Sequence, residues 1–167
     1  TGDLTLGNQT TGDGTYNLSG TGALAVTGTV YVGNQGTGLF TQSAGPVDAM
    51  AMTLGAQSGG QGTYQMSGGT LHTTTGYLLA GDAGTGTFTQ TGGGVTADNL
   101  LVLGQQAAGV GTYTLSGGGT VDSGGFLVGD AGIGTFTNSG GVQTVVGNMV
   151  LGAQAGSSGT YYLSGVG

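Results

Sequence analysis

The sequence GTFTQTGGG at residues 86–94 is one copy of a phrase that recurs along the whole chain. Its relatives are GTYNLSG at 14–20, GLFTQSAG at 38–45, GTYQMSGG at 62–69, GTYTLSGGG at 111–119, GTFTNSGG at 134–141 and GTYYLSG at 159–165. Each copy is centred on one aromatic residue. In chain order these residues are Tyr16, Phe40, Tyr64, Phe88, Tyr113, Phe136 and Tyr161.

The spacing of these aromatic residues is nearly constant. Subtracting neighbouring numbers gives steps of 24, 24, 24, 25, 23 and 25. A glycine closes each short apolar run such as LTLG, and these glycines are Gly7, Gly33, Gly55, Gly81, Gly104, Gly129 and Gly152. From that glycine to the next aromatic residue there are 9 positions when it is tyrosine and 7 when it is phenylalanine. The repeating unit is therefore a doublet of about 48 residues with two similar halves.

The short runs read as strands. They alternate with period two and are rich in valine, leucine, threonine and aromatic residues, whereas no segment carries the apolar spacing of a helix. Short strands at a period near 24 predict an all-β chain, a β-solenoid of about seven 24-residue coils that forms one domain over residues 1–167. An alternative remains open at this point, in which each turn has 48 residues and the chain makes about 3.5 turns.

Stacked coils place equivalent residues in vertical files. The seven aromatic residues should form a ladder, and the positions one and three before each closing glycine should form the apolar core, for example Leu101 and Leu103 or Met149 and Leu151. Two residues after each tyrosine stands leucine or methionine. Two residues after each phenylalanine stands an amide, and these amides are Gln42, Gln90 and Asn138. We favour 24-residue coils in which these amides bond to backbone at the core edge; in 48-residue turns they would stack as an amide ladder.

Composition excludes several classes of function. The 167 residues include 43 glycines, no cysteine, no lysine or arginine and seven acidic residues, for a net charge of −7. A chain without cations lacks the electrostatic footprint of a nucleic-acid binder and of a basic membrane-surface helix. Its apolar runs are too short to span a bilayer. The scarcity of ionic groups suits an extracellular protein best.

Few residues suggest chemistry. Asp82 and Asp130 follow the closing glycine, with Asn34 at the same place, so their oxygens are weak candidates for calcium ligands; aspartate and asparagine are also ordinary turn residues. His72 is the only histidine and has no second metal-binding side chain beside it in the sequence. We therefore expect no catalytic residue, no cofactor and no enzymatic activity.

Threonines flank the aromatic residue in several copies, as in the pairs Thr87/Thr89, Thr112/Thr114 and Thr135/Thr137. With the aromatic side chain inward, these hydroxyls should point outward and stack into an array. Such an array is similar to the ice-binding faces of solenoid antifreeze proteins. It could present threonine and amide columns to ice or to a glycan.

The phrase LVLGQQAAGVGTYTLSGGG at residues 101–119 resembles the glycine-rich repeat of bacterial autotransporter (type V secretion) passengers and of PEP-CTERM-associated exoproteins. The resemblance covers the whole chain. It implies an extracellular bacterial β-solenoid scaffold and transfers no catalytic residues. The strict alternation of tyrosine with phenylalanine departs from the usual repeat.

Neither end of the repeat array has the polar cap or charged residues that usually blunt an exposed solenoid edge. We therefore expect either a slice of a longer protein or a subunit that polymerises end to end. The leading hypothesis is a structural segment of an extracellular fibre or matrix whose partners are copies of itself. The alternative is an adhesin stalk or binding module for glycan or ice.

Overall fold

The computed structural model describes residues 2–165, and within them it contains strands and turns but no helix. The strands are β1 (Leu4–Leu6), β2 (Asp13–Leu18), β3 (Leu24–Val32), β4 (Thr37–Gln42), β5 (Pro46–Leu54), β6 (Gln61–Met66), β7 (Thr70–Thr73), β8 (Leu78–Ala80), β9 (Thr85–Gln90), β10 (Gly94–Leu103), β11 (Val110–Leu115), β12 (Thr120–Val128), β13 (Ile133–Asn138), β14 (Val142–Val145), β15 (Met149–Leu151) and β16 (Ser158–Leu163).

The strands form two parallel sheets, and the chain passes from one to the other in every coil. The aromatic sheet contains seven strands in the order β16-β13-β11-β9-β6-β4-β2, and the aliphatic sheet contains the other nine. One pass through both sheets is a coil, and we number the coils 1 to 7 by their aromatic residues, from Tyr16 to Tyr161. The predicted β-solenoid of seven coils is confirmed.

Strand pairing decides the length of a turn. Tyr16 pairs with Phe40, and Phe40 pairs with Tyr64, so each coil lies on the coil that immediately precedes it in the chain. The alternative of 48-residue turns is wrong, because it would pair Tyr16 with Tyr64 directly.

The seven aromatic rings lie in one file. Neighbouring ring centroids are 4.5 to 5.2 Å apart, close to the spacing of paired strands. From Phe40 to Tyr113 the rings are stacked with interplanar angles of 6 to 7°. Phe136 is tilted by 36° from Tyr113 and meets Phe126 of the aliphatic sheet edge-on. Each ring packs on the next because the backbone ladder already sets the favourable separation.

The core lies between the two sheets. Val30 and Val32 of coil 2 are fully buried, as are Leu101 and Leu103 of coil 5. The prediction fails for the last coil, where the equivalent Met149 and Leu151 are 42% and 47% exposed. No described residue covers the outer side of coil 7, so these side chains stay in contact with solvent.

Two glycines in each repeat mark where the sheets touch. Gly55 closes its apolar run with a φ of +66°, and a Cβ there would lie 2.2 Å from the carbonyl oxygen of Thr85. A Cβ on Gly62, two residues before Tyr64, would lie 2.0 Å from the carbonyl oxygen of Val32. Only glycine allows the two backbones to approach this closely. The repeated GT(Y/F) phrase is therefore a packing requirement.

The alternation of 9 and 7 residues is absorbed at one corner of the coil. In tyrosine coils the two extra residues form a tight turn, closed for example by the Gly60 amide donating to the Gln57 carbonyl at 2.8 Å. Ser58 and Gly59 at its tip are exposed. Because the turn projects outward, the strands on either side keep their register and each coil still rises by one strand spacing along the stack.

Candidate functional site

The predicted amide column forms a buried hydrogen-bond arrangement between successive coils. Gln42 Nε2 donates to two backbone carbonyls, that of Gly45 at 2.7 Å and that of Thr70 at the start of β7 at 3.0 Å. Its Oε1 accepts the Tyr64 hydroxyl of the next coil at 2.7 Å. Tyr64 and Gln42 are both almost completely buried.

The same arrangement recurs one doublet later. Gln90 Nε2 donates to the carbonyls of Gly93 at 3.0 Å and Thr120 at 3.1 Å, and Gln90 Oε1 accepts the Tyr113 hydroxyl at 2.6 Å. Every polar atom of the glutamine is therefore paired, which is what a polar side chain needs in a dry core. The structure places these amides at the core edge and bonded to backbone.

Asn138 has the same position but a shorter side chain, and its contacts differ. Its Nδ2 donates to the Gly141 carbonyl at 3.0 Å and its Oδ1 accepts the backbone amides of Gly140 and Gly141. The Tyr161 hydroxyl of the next coil donates instead to Gln143 Oε1 at 2.7 Å. Glutamine reaches the next coil's hydroxyl, and asparagine caps its own turn.

This geometry explains why tyrosine and phenylalanine alternate. Each interior tyrosine lies over a coil that offers an amide, as Tyr64 lies over Gln42. Each phenylalanine lies over a coil that offers leucine or methionine at that position, as Phe88 lies over Met66. The sequence shows the alternation of tyrosine with phenylalanine and that of amide with apolar side chains, but not the hydrogen bond that connects the two. The signal was present, since an amide stands two residues after each phenylalanine and never two residues after a tyrosine.

Burial keeps these phenols neutral. Desolvation raises the pKa of Tyr64 far above its ordinary value of about 10. The same cause, followed by repulsion from the Tyr64 phenolate, raises the pKa of Tyr113. Both hydroxyls therefore remain donors at any physiological pH.

The two candidate calcium ligands lie two coils apart, about 9.5 Å along the stack. Asp82 Oδ1 accepts from Gln106 Nε2 of the next coil at 2.8 Å, and Asp130 Oδ1 accepts from Gln154 Nε2 at 3.0 Å. Asn34, at the same place in coil 2, instead donates its Nδ2 to Asn8 Oδ1 of the preceding coil at 3.0 Å. Within residues 2–165 there is no group of three or more histidine, cysteine or acidic side chains that could hold a metal ion. These side chains tie neighbouring turns together.

His72 lies on the outer face of the aliphatic sheet. Its Nε2 is 2.9 Å from Asp98 Oδ2 and its Nδ1 is 3.5 Å from Asp48 Oδ1. All three side chains are more than one third exposed to solvent. The contacts link coils 3, 4 and 5 at the surface, where ion pairs contribute little to stability.

The outer face of the aromatic sheet carries three files of polar side chains. The residues just before the ladder positions are all threonine except Leu39, and the predicted threonine pairs lie here, half-buried and in register. The residues just after the ladder positions are Asn17, Thr41, Gln65, Thr89, Thr114, Thr137 and Tyr162. A third file, which sequence reasoning missed, has a hydroxyl in every coil: Ser19, Ser43, Ser67, Thr91, Ser116, Ser139 and Ser164. A shallow groove crosses this face beside Thr41, Gln65 and Thr89.

The outer side of coil 7, formed by β14, β15 and β16, is here named the C-terminal face. Side chains that are buried in every interior coil are exposed on it, including Leu163 at 73%. Val146 and Tyr162 add further exposed apolar surface at this end. No charged residue lies between Ala131 and Gly165. An apolar, uncharged face of this kind is typical of an interaction surface.

No protein-family model, curated protein or solved structure matches the chain. Within the described residues no helix has the length and hydropathy needed to cross a bilayer. Function must therefore be inferred from the geometry of the chain itself.

Proposed function

We propose that this chain is a structural segment of an extracellular bacterial fibre or matrix, and that copies of it associate end to end by continuing the β-solenoid. The observation that carries the proposal is the C-terminal face, where the inner files of the stack end in exposed side chains such as Met149, Leu151 and Leu163. The extracellular setting rests on the resemblance of the repeat and on the composition.

The edges of the two terminal coils are complementary. Within residues 2–165, β16 is paired on one side only, with β13, and β2 is paired on one side only, with β4. Both belong to the aromatic sheet and have six residues with the same GTY centre. A parallel pairing of β16 with β2 of a second copy would continue the backbone ladder and the ring file. Open parallel edges are templates for such addition.

Charge favours this head-to-tail contact over contact between two N-terminal coils and over lateral contact between rods. Coil 1 carries Asp3 and Asp13, whereas coil 7 between Val142 and Gly165 carries no charge. Contact between two N-terminal coils would bring four carboxylates together. Lateral contact would oppose the aspartates along the sides of the rod, such as Asp48 and Asp98. Like-charge contacts of this kind are unfavourable, so the uncharged face is the one most open to association.

Electron microscopy and sedimentation of the purified chain test the proposal. We expect concentration-dependent particles that lengthen along one axis, with fibre diffraction showing a meridional repeat of about 4.8 Å. Leu151→Asp, which puts a charge on the C-terminal face, should prevent the association. Met50→Asp is the matched control, because Met50 is exposed to a similar extent, 40%, but lies on the side of coil 3. A wild-type chain that stays monomeric at all concentrations would contradict the proposal.

A second candidate function is a binding module that presents the polar face of the aromatic sheet to a glycan or to ice. The observation that favours it is the three registered files of hydroxyl and amide groups, repeated at the strand spacing. The test measures affinity for polysaccharides and inhibition of ice growth. Loss of either activity in Thr89→Val/Thr114→Val, with the activity kept in Thr120→Val on the other sheet, would support this function. Retained binding in the first variant would contradict it.

A further inference from the structure

Head-to-tail association of identical copies would bring two tyrosine coils together. Within the chain, tyrosine and phenylalanine coils alternate without exception, and both coil 1 and coil 7 are of the tyrosine type. A contact between coil 7 of one copy and coil 1 of the next is the first place where that alternation breaks. This inference rests on the proposed function.

Among the described residues, the break leaves one hydroxyl without an acceptor. Tyr64 and Tyr113 each direct their hydroxyl to a glutamine of the preceding coil, 22 and 23 residues earlier. For Tyr16 of an incoming copy, the preceding coil would be coil 7, which has Leu163 at that position. The amide in coil 7, Gln143, already accepts the Tyr161 hydroxyl at 2.7 Å.

Once the two coils meet, Tyr16 becomes an interior residue. It is half-buried now, whereas the interior tyrosines are completely buried. Its hydroxyl would be removed from water and face the methyl groups of Leu163. An unpaired polar group in such a site is unfavourable.

We infer that Tyr16 and Leu163 together set the strength of the end-to-end contact between copies. The N-terminal face fits a coil that carries glutamine two residues after its aromatic residue. The copy's own coil 7 offers leucine there, which weakens the contact and restrains the growth of a fibre made from this chain alone.

A double-mutant cycle across the contact tests the inference. In the wild-type background, Tyr16→Phe removes the unpaired hydroxyl and should tighten self-association by roughly tenfold. In the Leu163→Gln background, the same change removes a paired hydroxyl and leaves the glutamine oxygen unpaired, so it should weaken self-association by roughly tenfold. A contact driven by apolar area alone would give Tyr16→Phe the same effect in both backgrounds.

Leu163→Asn is the matched control. Asn138 at the equivalent position of coil 6 turns to its own Gly140 and Gly141 and leaves Tyr161 to another acceptor. Tyr16→Phe should therefore tighten the Leu163→Asn variant as it does the wild type. Dissociation constants come from sedimentation velocity, and thermal melts of the dilute monomers establish that each variant is folded.

The outcomes separate this inference from the proposed function. Opposite effects of Tyr16→Phe in the two backgrounds support it. Association of the wild type with equal effects in both backgrounds overturns this inference and leaves end-to-end stacking intact. Absence of association in every variant overturns both.

Discussion

Replacing Gln90 with leucine tests whether the buried amides stabilise the stack or merely fit into it. Leucine resembles the residues that alternate with glutamine along this file, so volume and strand propensity change little. What the variant loses are three hydrogen bonds: the Tyr113 hydroxyl at 2.6 Å and the carbonyls of Gly93 and Thr120 at 3.0 and 3.1 Å.

The cost follows from the burial of these groups. A hydroxyl left unpaired in the core costs about 1–3 kcal/mol, and each bond lost from a carbonyl costs about 1 kcal/mol. Leucine recovers part of this through its apolar surface, so Gln90→Leu should lower the free energy of unfolding by about 2–4 kcal/mol. Adding Tyr113→Phe removes the unpaired hydroxyl and should restore about 1–3 kcal/mol of that loss.

The informative quantity is the sign of the Tyr113→Phe effect. In the wild type this change leaves the Gln90 oxygen unpaired and should destabilise; in Gln90→Leu it should stabilise. Urea denaturation followed by far-UV circular dichroism gives all four free energies. Equal destabilisation by Tyr113→Phe in both backgrounds would refute the role assigned to the pair.

Three further predictions concern the same stack. Gly62→Ala would place a Cβ 2.0 Å from the Val32 carbonyl oxygen, so it should lower the free energy of unfolding in urea by more than about 3 kcal/mol or prevent folding. Gly118→Ala is the control and should be nearly neutral, because no atom lies within 4 Å of its Cβ. Phe88→Tyr places a hydroxyl over Met66 without an acceptor and should lower the free energy of unfolding by about 1–3 kcal/mol; an unchanged value would contradict the pairing of tyrosine with amides. Burial raises the pKa of Tyr64 in the folded state, so above about pH 10 the unfolded chain loses the phenol proton before the folded chain does. The free energy of unfolding should therefore be constant below about pH 10 and fall above it by about 1.4 kcal/mol per pH unit. A urea midpoint that stays constant from pH 9 to pH 11 would contradict the burial of Tyr64.

The fold could be predicted because its determinants are local and repeated. The aromatic residues mark one rung each, and the glycines mark the points where two backbones touch, so the period of the sequence is the period of the coil. Gly55 and Gly62 illustrate this, since a side chain at either would collide with backbone of the neighbouring sheet. Because the same steric requirement recurs in every coil, glycine recurs at the same positions of the repeat.

The hydrogen-bonding partners could not be predicted with the same certainty, because they depend on reach between coils. Gln42 and Asn138 occupy the same register position, yet only the glutamine accepts the hydroxyl of the next coil's tyrosine. The sequence also does not show that the two extra residues of a tyrosine coil form a projecting turn, which is why 48-residue turns remained open. Exposure of Met149 and Leu151 depends on the absence of a covering coil among the described residues, a property of position in the stack.

The central claim is that each coil lies directly on the preceding coil in the sequence, and cysteine pairs test it most directly in a chain that has no cysteine of its own. Thr89 and Thr114 are register partners on the outer face of the aromatic sheet, so their Cα atoms lie about 4.8 Å apart, within reach of a disulfide. Gln65 and Thr114 are separated by one intervening coil, about 9.5 Å, and cannot be bridged. We predict an intramolecular disulfide in Thr89→Cys/Thr114→Cys and none in Gln65→Cys/Thr114→Cys; the opposite result would mean that 48-residue turns, and not 24-residue coils, build the stack.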